Sequence, residues 1–393
     1  MKRFALLCAL LALGSCSRKE KDVDAPARLV DFPATLQVDR VWQAAVSSKD
    51  AELRLSIGLA ADDGKAFAAG SGGEVAAFDL KSGRTLWKTR IRGTLSAGTG
   101  AGQGLVVVAT NKGEVIALDA ANGAVRWRAR AGGEVLAAPA VASAVVAVRT
   151  VDGKLHGLAV ANGKQSWVVE QPMPRLTLRG TARPVVAGDM VLSGFDNGKV
   201  VAVNQADGAV LWEATVSPPK GRTELERLVD IDSAVHVIGQ DVYVVGFQGR
   251  AALLALEGGQ VWWARDLSSY RGLDVDADNI YVATAAGEVA ALARRTGIEL
   301  WRQSALIRRG LSAPAVTGAA VAVGDFEGYV HWLDRATGAI IGRTKLGGRI
   351  SAQPLAVGEL LLVESDSGRI AAYRANRRGG SDPAAAPAAA KSP

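Results

Sequence analysis

With 393 residues, 49% of them hydrophobic and 22% charged, the chain is long enough for one large domain or two ordinary ones around a substantial core, which excludes disorder over most of its length. Forty-five glycines, only 5% aromatic residues and short Val/Ala/Leu runs exclude a helical bundle or coiled coil and favour many short strands joined by tight turns. The formal net charge of +7 is a mild bias spread over alternating signs, so nucleic acid is not an expected partner.

Residues 1–15 begin with Lys2 and Arg3, run through an apolar stretch from Phe4 to Leu13 and end in Gly14 and Ser15, which is the pattern of a secretory signal peptide. The apolar stretch is too short for a permanent transmembrane helix. Leu13-Gly14-Ser15-Cys16 resembles the bacterial lipobox, in which the cysteine becomes the acylated first residue. That resemblance implies lipidation at Cys16, and more than one acyl chain is what stable anchoring requires. Ser17, rather than Asp, follows the cysteine, which by the sorting rule of such lipoproteins implies the outer membrane, with the protein on its periplasmic face. The remaining cysteine, Cys8, falls inside the signal, so the mature chain has no disulfide framework or Cys-rich metal site. Residues 16–37 read as the acylated N-terminus and a flexible tether with a reach of at most roughly 70 Å. At the other end, 376–393 is rich in Ala and Pro and reads as a disordered tail.

Between these ends the chain repeats itself. Tryptophans recur at 42, 87, 127, 167, 212, 262 and 301, spaced by 39 to 50 residues, and Ile341 takes an eighth such position. Ahead of most of them stands a Gly-led apolar stretch ending in a polar turn, as in GEVAAFDLKSG, GEVIALDAANG and GYVHWLDRATG. Strict alternation is a strand signal, and the phrase that closes it is a turn in which Asp binds backbone amides and Gly supplies positive φ. Asp79, Asp119 and Asp334 are accordingly expected as turn residues, and the tryptophans as packing between neighbouring units. Each unit of about 42 residues fits one four-stranded propeller blade. There are eight Gly-led strands, but the last, GRIAAY, has no partner after it, and the first Trp strand, 38–46, has none before it. Pairing these two completes the ring. The expected fold is therefore all-β, an eight-bladed β-propeller of four-stranded antiparallel blades over 38–375, closed by pairing of N- and C-terminal strands.

No nucleophile motif, phosphate-binding loop or HExxH sequence occurs, and His156, His236 and His331 fall in different repeats, with His156 and His331 in the same slot. No catalytic, cofactor-binding or metal site is expected. The repeat phrase resembles the PQQ-type propeller repeat, shared by quinone-dependent dehydrogenases and non-enzymatic periplasmic proteins. The dehydrogenases use a quinone and calcium and many carry a vicinal cysteine pair, which this chain lacks. A periplasmic PQQ-dependent dehydrogenase and an adaptor for another envelope complex are the two rival readings.

The period breaks twice in succession. About five extra residues fall around 170–184 and about ten around 217–233. Insertions at the same point of consecutive blades share one end of a propeller, and such insertions often mark the binding face. Leu176 and Leu178 alternate with Thr177 beside Arg179, and the second insertion adds Glu224, Glu226, Arg227, Asp230 and Asp232. Apolar anchors ringed by charge describe a protein interface. All of these are expected to be exposed, with Arg179 either meeting a partner or pairing with Asp230 and Asp232 across the loops.

The lipobox, the eight repeats, LTLRG in one loop and ELERLVDID in the next together resemble the BamB family, lipoproteins of the bacterial outer-membrane β-barrel assembly machinery. The resemblance implies a non-enzymatic scaffold that needs no cofactor and assists folding and insertion of outer-membrane proteins. It implies partner-binding roles for Leu176, Leu178, Arg179, Asp230 and Asp232 toward the POTRA region of BamA, and through it association with the other lipoproteins of the complex. Unfolded outer-membrane protein clients are further candidate partners.

Overall fold

Strands of two to ten residues account for nearly all the regular structure, and they assort into eight four-stranded antiparallel sheets. The computed structural model describes residues 25–47, 57–179 and 182–377; the signal peptide, Cys16 and the tail from 378 onward lie outside the described residues. Blade 1 spans 60–90, blade 2 95–130, blade 3 140–170, blade 4 185–215, blade 5 236–266, blade 6 272–303 and blade 7 315–345. Blade 8 combines three C-terminal strands, Leu355–Val357, Leu360–Glu364 and Arg369–Arg377, with the N-terminal Leu36–Ala45 as its outer strand. The eight sheets form one eight-bladed propeller.

Burial explains which residues occupy which strand. The second strand of a blade is covered on both faces, so Leu105–Thr110 and Val145–Thr150 are buried throughout. Outer strands bury one residue in the middle and expose their flanks, as in Thr85–Arg90 and Val125–Arg130. Turns between the third and outer strands follow the expected chemistry. Asp79 Oδ1 accepts from the Ser82 amide (2.8 Å) and hydroxyl (2.6 Å), and Gly83 takes φ 70°. Asp119 and Asp334 bind their turn amides in the same way.

That turn is also the dock for the neighbouring blade. Trp42, Trp87, Trp127, Trp167, Trp212, Trp263 and Trp301 each donate the indole N–H to a carbonyl at the turn of the next blade, over 2.8–3.2 Å. The ring lies so close to the turn glycine that a Cβ at Gly83, Gly123 or Gly338 would sit 2.4–2.5 Å from it. Glycine is thus required twice, for its positive φ and for the close approach of the indole. In blade 5 the docking residue is Trp263, not the expected Trp262, which is 59% exposed; a bulge between Leu253 and Leu254 of the paired strand sets the register that turns Trp263 inward.

Blade 7 also departs from the sequence reading. Strand register places Gly342, not Ile341, in the tryptophan slot, opposite Trp332 of the third strand. In the other blades this pair is a small residue against Trp, as in Ala77 with Trp87 and Ala117 with Trp127, except in blade 5, where Leu253 faces Trp263. The aromatic has moved across the pair, and the space over Gly342 is filled by Trp332 and by Leu36. The cause is the ring closure: the next blade has chain termini where the others have a turn, so there is no glycine turn on which an indole could dock.

The closing strand runs in register from Leu36 opposite Arg377 to Ala45 opposite Arg369, with one irregularity between Arg40 and Trp42. It begins two residues before the expected 38, so Leu36 and Gln37 belong to the propeller and not to a tether. Trp42 stacks on Phe78 and donates to Leu80 of blade 1, which locks blade 8 to blade 1. Truncating a buried Trp typically costs about 3–5 kcal/mol, so Trp42→Ala should lower the melting temperature by roughly 5 °C or more. Deletion of 36–46 should abolish cooperative thermal unfolding, whereas deletion of 379–393 should leave the melt unchanged; calorimetry of the three variants checks this.

Candidate interaction surface on the linker face

Each outer strand ends on the face of the ring from which a linker leads to the next inner strand, and the turns between second and third strands lie on the same face. The turns that receive the indoles lie on the opposite face. The long linkers 171–184 and 216–235 flank blade 4 and therefore stand side by side on the linker face.

The first linker leaves its apolar side chains half exposed. Met173, Leu176 and Leu178 retain 39–41% of their accessible surface. The second linker makes a single helical turn. Thr223 Oγ1 accepts from the Glu226 amide (3.2 Å), while Glu226 Oε2 accepts from the amides of Arg222 (2.7 Å) and Thr223 (3.1 Å). This reciprocal capping box holds the turn, and Leu225 projects from it at 65% exposure. Leu228, Val229 and Ile231 then return to the core. Met173 and Leu225 were missed in the sequence. The capping pattern Thr223-x-x-Glu226 was the available signal for Leu225, since it fixes a turn whose middle residue faces solvent.

The expected acidic rim is not a rim. Asp230 and Asp232 are buried, and Asp230 forms an isolated bridge with Phe247 whose amide donates to the Asp230 carbonyl at 2.7 Å. Asp230 Oδ2 accepts from the Leu178 amide at 3.3 Å, while Oδ1 has no hydrogen-bond partner among the described residues. Burial, reinforced by Asp232 and Asp196, pushes the Asp230 carboxyl up to about 9, so at neutral pH it is a neutral acid. Below it lies the buried pair of Arg149 and Asp196, with the Arg149 guanidinium 4.4 Å above the Phe195 ring. The reason for burial is local: the strand-like bridge at Asp230 draws this part of the linker under the first loop.

Arg179 also pairs differently. Its guanidinium meets Glu134 of the linker between blades 2 and 3, and its backbone adopts φ 65°. The link between the two long linkers is therefore the Leu178 amide on Asp230, and Arg179 connects to a third linker. Leu176, Leu178 and Arg179 are brought together on one surface; Asp230 supports that surface from beneath.

The histidines hold local structural bonds. His156 Nδ1 lies 3.1 Å from Gln165, His331 Nε2 2.9 Å from Asp325 and His236 Nδ1 3.3 Å from Asp274. A cavity of about 570 Å³ on the ring axis is lined by residues such as Val185, His236, Arg271 and Leu355. Its Asp274 carboxylate accepts from the amides of Val275 (2.8 Å) and Val316 (2.7 Å). Among the described residues no group of three or more His, Cys, Asp or Glu side chains could hold a metal ion.

A ring of PQQ-like repeats, distinguished by its linkers, defines a propeller binding scaffold. The family model described as outer membrane protein assembly factor BamB matches residues 34–94, 71–303 and 285–379. The chain is 48% identical over 373 residues to the outer membrane protein assembly factor BamB of Pseudomonas aeruginosa, covering 95% of this chain and 98% of that one. The crystal structure of BamB from Moraxella catarrhalis superposes with a TM-score of 0.79 at 27% identity, over 86% of this chain and 100% of that one. Quinohemoprotein alcohol dehydrogenase from Comamonas testosteroni shares the fold alone, with a TM-score of 0.68 at 12% identity over 86% of this chain and 76% of that one. The chain belongs to the BamB family of outer-membrane protein assembly factors and is non-enzymatic.

A neutral Asp230 makes two outcomes expected. Its folded-state pKa lies above the unfolded value, so the proton is held more tightly in the folded chain and stability falls as pH rises from about 4 to about 9. Asp230→Asn should flatten that part of the stability–pH profile, measured by urea denaturation at several pH values, and Asp230→Ala should not mimic its retained loop. A double-mutant cycle should find no coupling between Arg179 and Asp230, but about 0.5 kcal/mol or less between Arg179 and Glu134, since that pair is solvent-exposed.

Proposed function

We propose that the chain is a lipoprotein acylated at Cys16 and held on the periplasmic face of the outer membrane, where its linker face binds the POTRA region of BamA. In this role it assists folding and insertion of outer-membrane proteins by positioning the assembly complex. Association with the complex's other lipoproteins follows through BamA.

One observation carries this reading: Met173, Leu176 and Leu178 stand half exposed on a linker that is fastened to its neighbour through Asp230. Exposed aliphatic side chains on a held loop are what a protein interface uses as anchors, because little conformational entropy remains to be lost on binding. Arg179, exposed and paired with Glu134 at the surface, can exchange it for a partner acid at little cost. Asp230 and Asp232 act from inside, by setting the position of the loop that presents the leucines. Names and matches of the relatives agree with membership of an outer-membrane assembly complex.

The combined change Leu176→Ala and Leu178→Ala should weaken binding to the isolated POTRA region by about tenfold or more, each 1.4 kcal/mol being a factor of ten. Its melting temperature should fall little, because both side chains are already 40–41% exposed and lie outside the blade cores. Titration calorimetry checks the first point; unchanged affinity with an intact fold would place the interface elsewhere. Mass spectrometry of the mature N-terminus should find acyl chains on Cys16, and Cys16→Ala should leave the precursor unprocessed.

A further inference from the structure

Blade 7 and the linker that enters it hold a buried polar group of residues for which the repeat has no use. Asp325 and His331 are fully buried, and Arg309 nearly so. Asp325 Oδ2 accepts from Arg309 Nε at 2.8 Å and from His331 Nε2 at 2.9 Å, while Arg343 Nε donates to His331 Nδ1 at 3.2 Å. These partners fix a neutral imidazole with its proton on Nε2, and burial lowers the His331 pKa in the same sense. Both arginines have donors left over; Arg309 Nη2 meets Glu327, and the others reach the segment that precedes the closing strand. Arg309 Nη1 donates to the Ala27 carbonyl at 2.8 Å, and Arg343 donates both terminal nitrogens to the Val30 carbonyl at 3.1 Å. The Ala27 amide donates in turn to the Ile307 carbonyl at 3.0 Å. Phe32 packs into the seam between blades 6 and 7, with the Arg343 guanidinium 4.8 Å above its ring.

The direction of this segment follows from topology. An outer strand starts on the face that carries the indole docks and ends on the linker face, so the closing strand starts at Leu36 on the face opposite the linkers. Ile307 and Arg309 belong to the linker between blades 6 and 7. Going from Leu36 back to Ala27, the chain therefore climbs the rim of the ring from one face to the other. A free tether leaving at Leu36 would have started from the far face.

We propose that residues 25–35 form a strap that delivers the lipid-bearing N-terminus to the linker face and so turns that face toward the bilayer. The proposal rests on acylation of Cys16. With the strap seated, only the chain between Cys16 and about Pro26 is left to span the gap, a reach of at most roughly 35 Å instead of the roughly 70 Å of an unseated tether. The partner surface on the linkers is then held close to the membrane in which the assembly machinery sits.

Two measurements test this. In the chain without its lipid, the strap should protect Arg28, which is itself exposed, from trypsin. Phe32→Ala combined with Arg343→Gln should speed cleavage there by about tenfold, and so should replacement of Ala27, Val30 and Phe32 by Gly and Ser, which leaves every propeller residue in place. Equal rates in all three would overturn the strap. For orientation, the acylated chain is bound to phosphatidylethanolamine/phosphatidylglycerol vesicles carrying a headgroup quencher. A fluorophore is placed on Lys112→Cys, in a linker-face turn, or on Asn122→Cys, in an opposite-face turn; the mature chain has no other free thiol once Cys16 is acylated. Stronger quenching at 112 than at 122, lost in the Gly/Ser variant, is the expected result. Equal quenching at the two positions overturns the orientation alone. Failure to bind vesicles overturns the lipid anchor, and the orientation with it.

Discussion

Everything in this protein depends on one contact repeated around a ring: an indole of one blade seated on the glycine turn of the next. A four-stranded blade whose strands are five or six residues long is apolar on both faces and cannot bury either by itself, so it is stable only between two neighbours. The Trp–Gly contact fixes how neighbours meet. Its ring area supplies burial, its N–H supplies direction, and the absent Cβ of the glycine supplies the space. A hydrogen bond of this kind contributes only about 1 kcal/mol net, but leaving a buried indole N–H unpaired costs more, so the dock discriminates strongly against other stacking geometries.

The same constraint explains the one blade that breaks the rule. A closed ring assembled from a linear chain must have a seam, and at the seam the turn that receives an indole is replaced by two chain ends. Gly342 faces Leu36 there, and the aromatic bulk sits on the paired strand as Trp332, fully buried. Volume is kept although the position is not, as close packing demands. Beside this seam the two arginines Arg309 and Arg343 hold the backbone of Ala27 and Val30, which ties the incoming chain to the blade that lacks the dock.

Periodic residues build the ring, and aperiodic ones distinguish it from other propellers. The linkers around blade 4 are longer than the repeat needs, they expose Met173, Leu176, Leu178 and Leu225, and they are held from beneath by the buried Asp230 as well as by the surface contacts of Arg179 with Glu134 and of Thr223 with Glu226. Asp230 shows how this works. Kept neutral by burial, it holds the Leu178 amide without placing a charge beneath an apolar surface. A rigid platform with a few held loops is a common solution for recognition, because ordering costs are met by the scaffold before a partner arrives.

The residues alone determined the class of strand, the turn chemistry, the number of blades and the ring closure, since each follows from local periodicity: Asp79 and Gly83 recur with their partners at fixed spacing, and GRIAAY lacks a following strand that only 38–46 can supply. Family membership was legible where the period breaks, in the linker phrases LTLRG and ELERLVDID. Tertiary structure decided what depends on register and on neighbours distant in sequence. The bulge that recurs in the outer pair of the blades puts the inward residue four after the turn glycine, Trp263 after Gly259 and Gly342 after Gly338, a register that spacing from tryptophan to tryptophan does not reveal. A bridge to Phe247 put Asp230 under the loop, and Glu134, some 45 residues away, took Arg179 from it. Alternation and turn signals act over a few residues, whereas burial is decided by which chain segments meet, and at the seam and in the linkers those segments come from different blades.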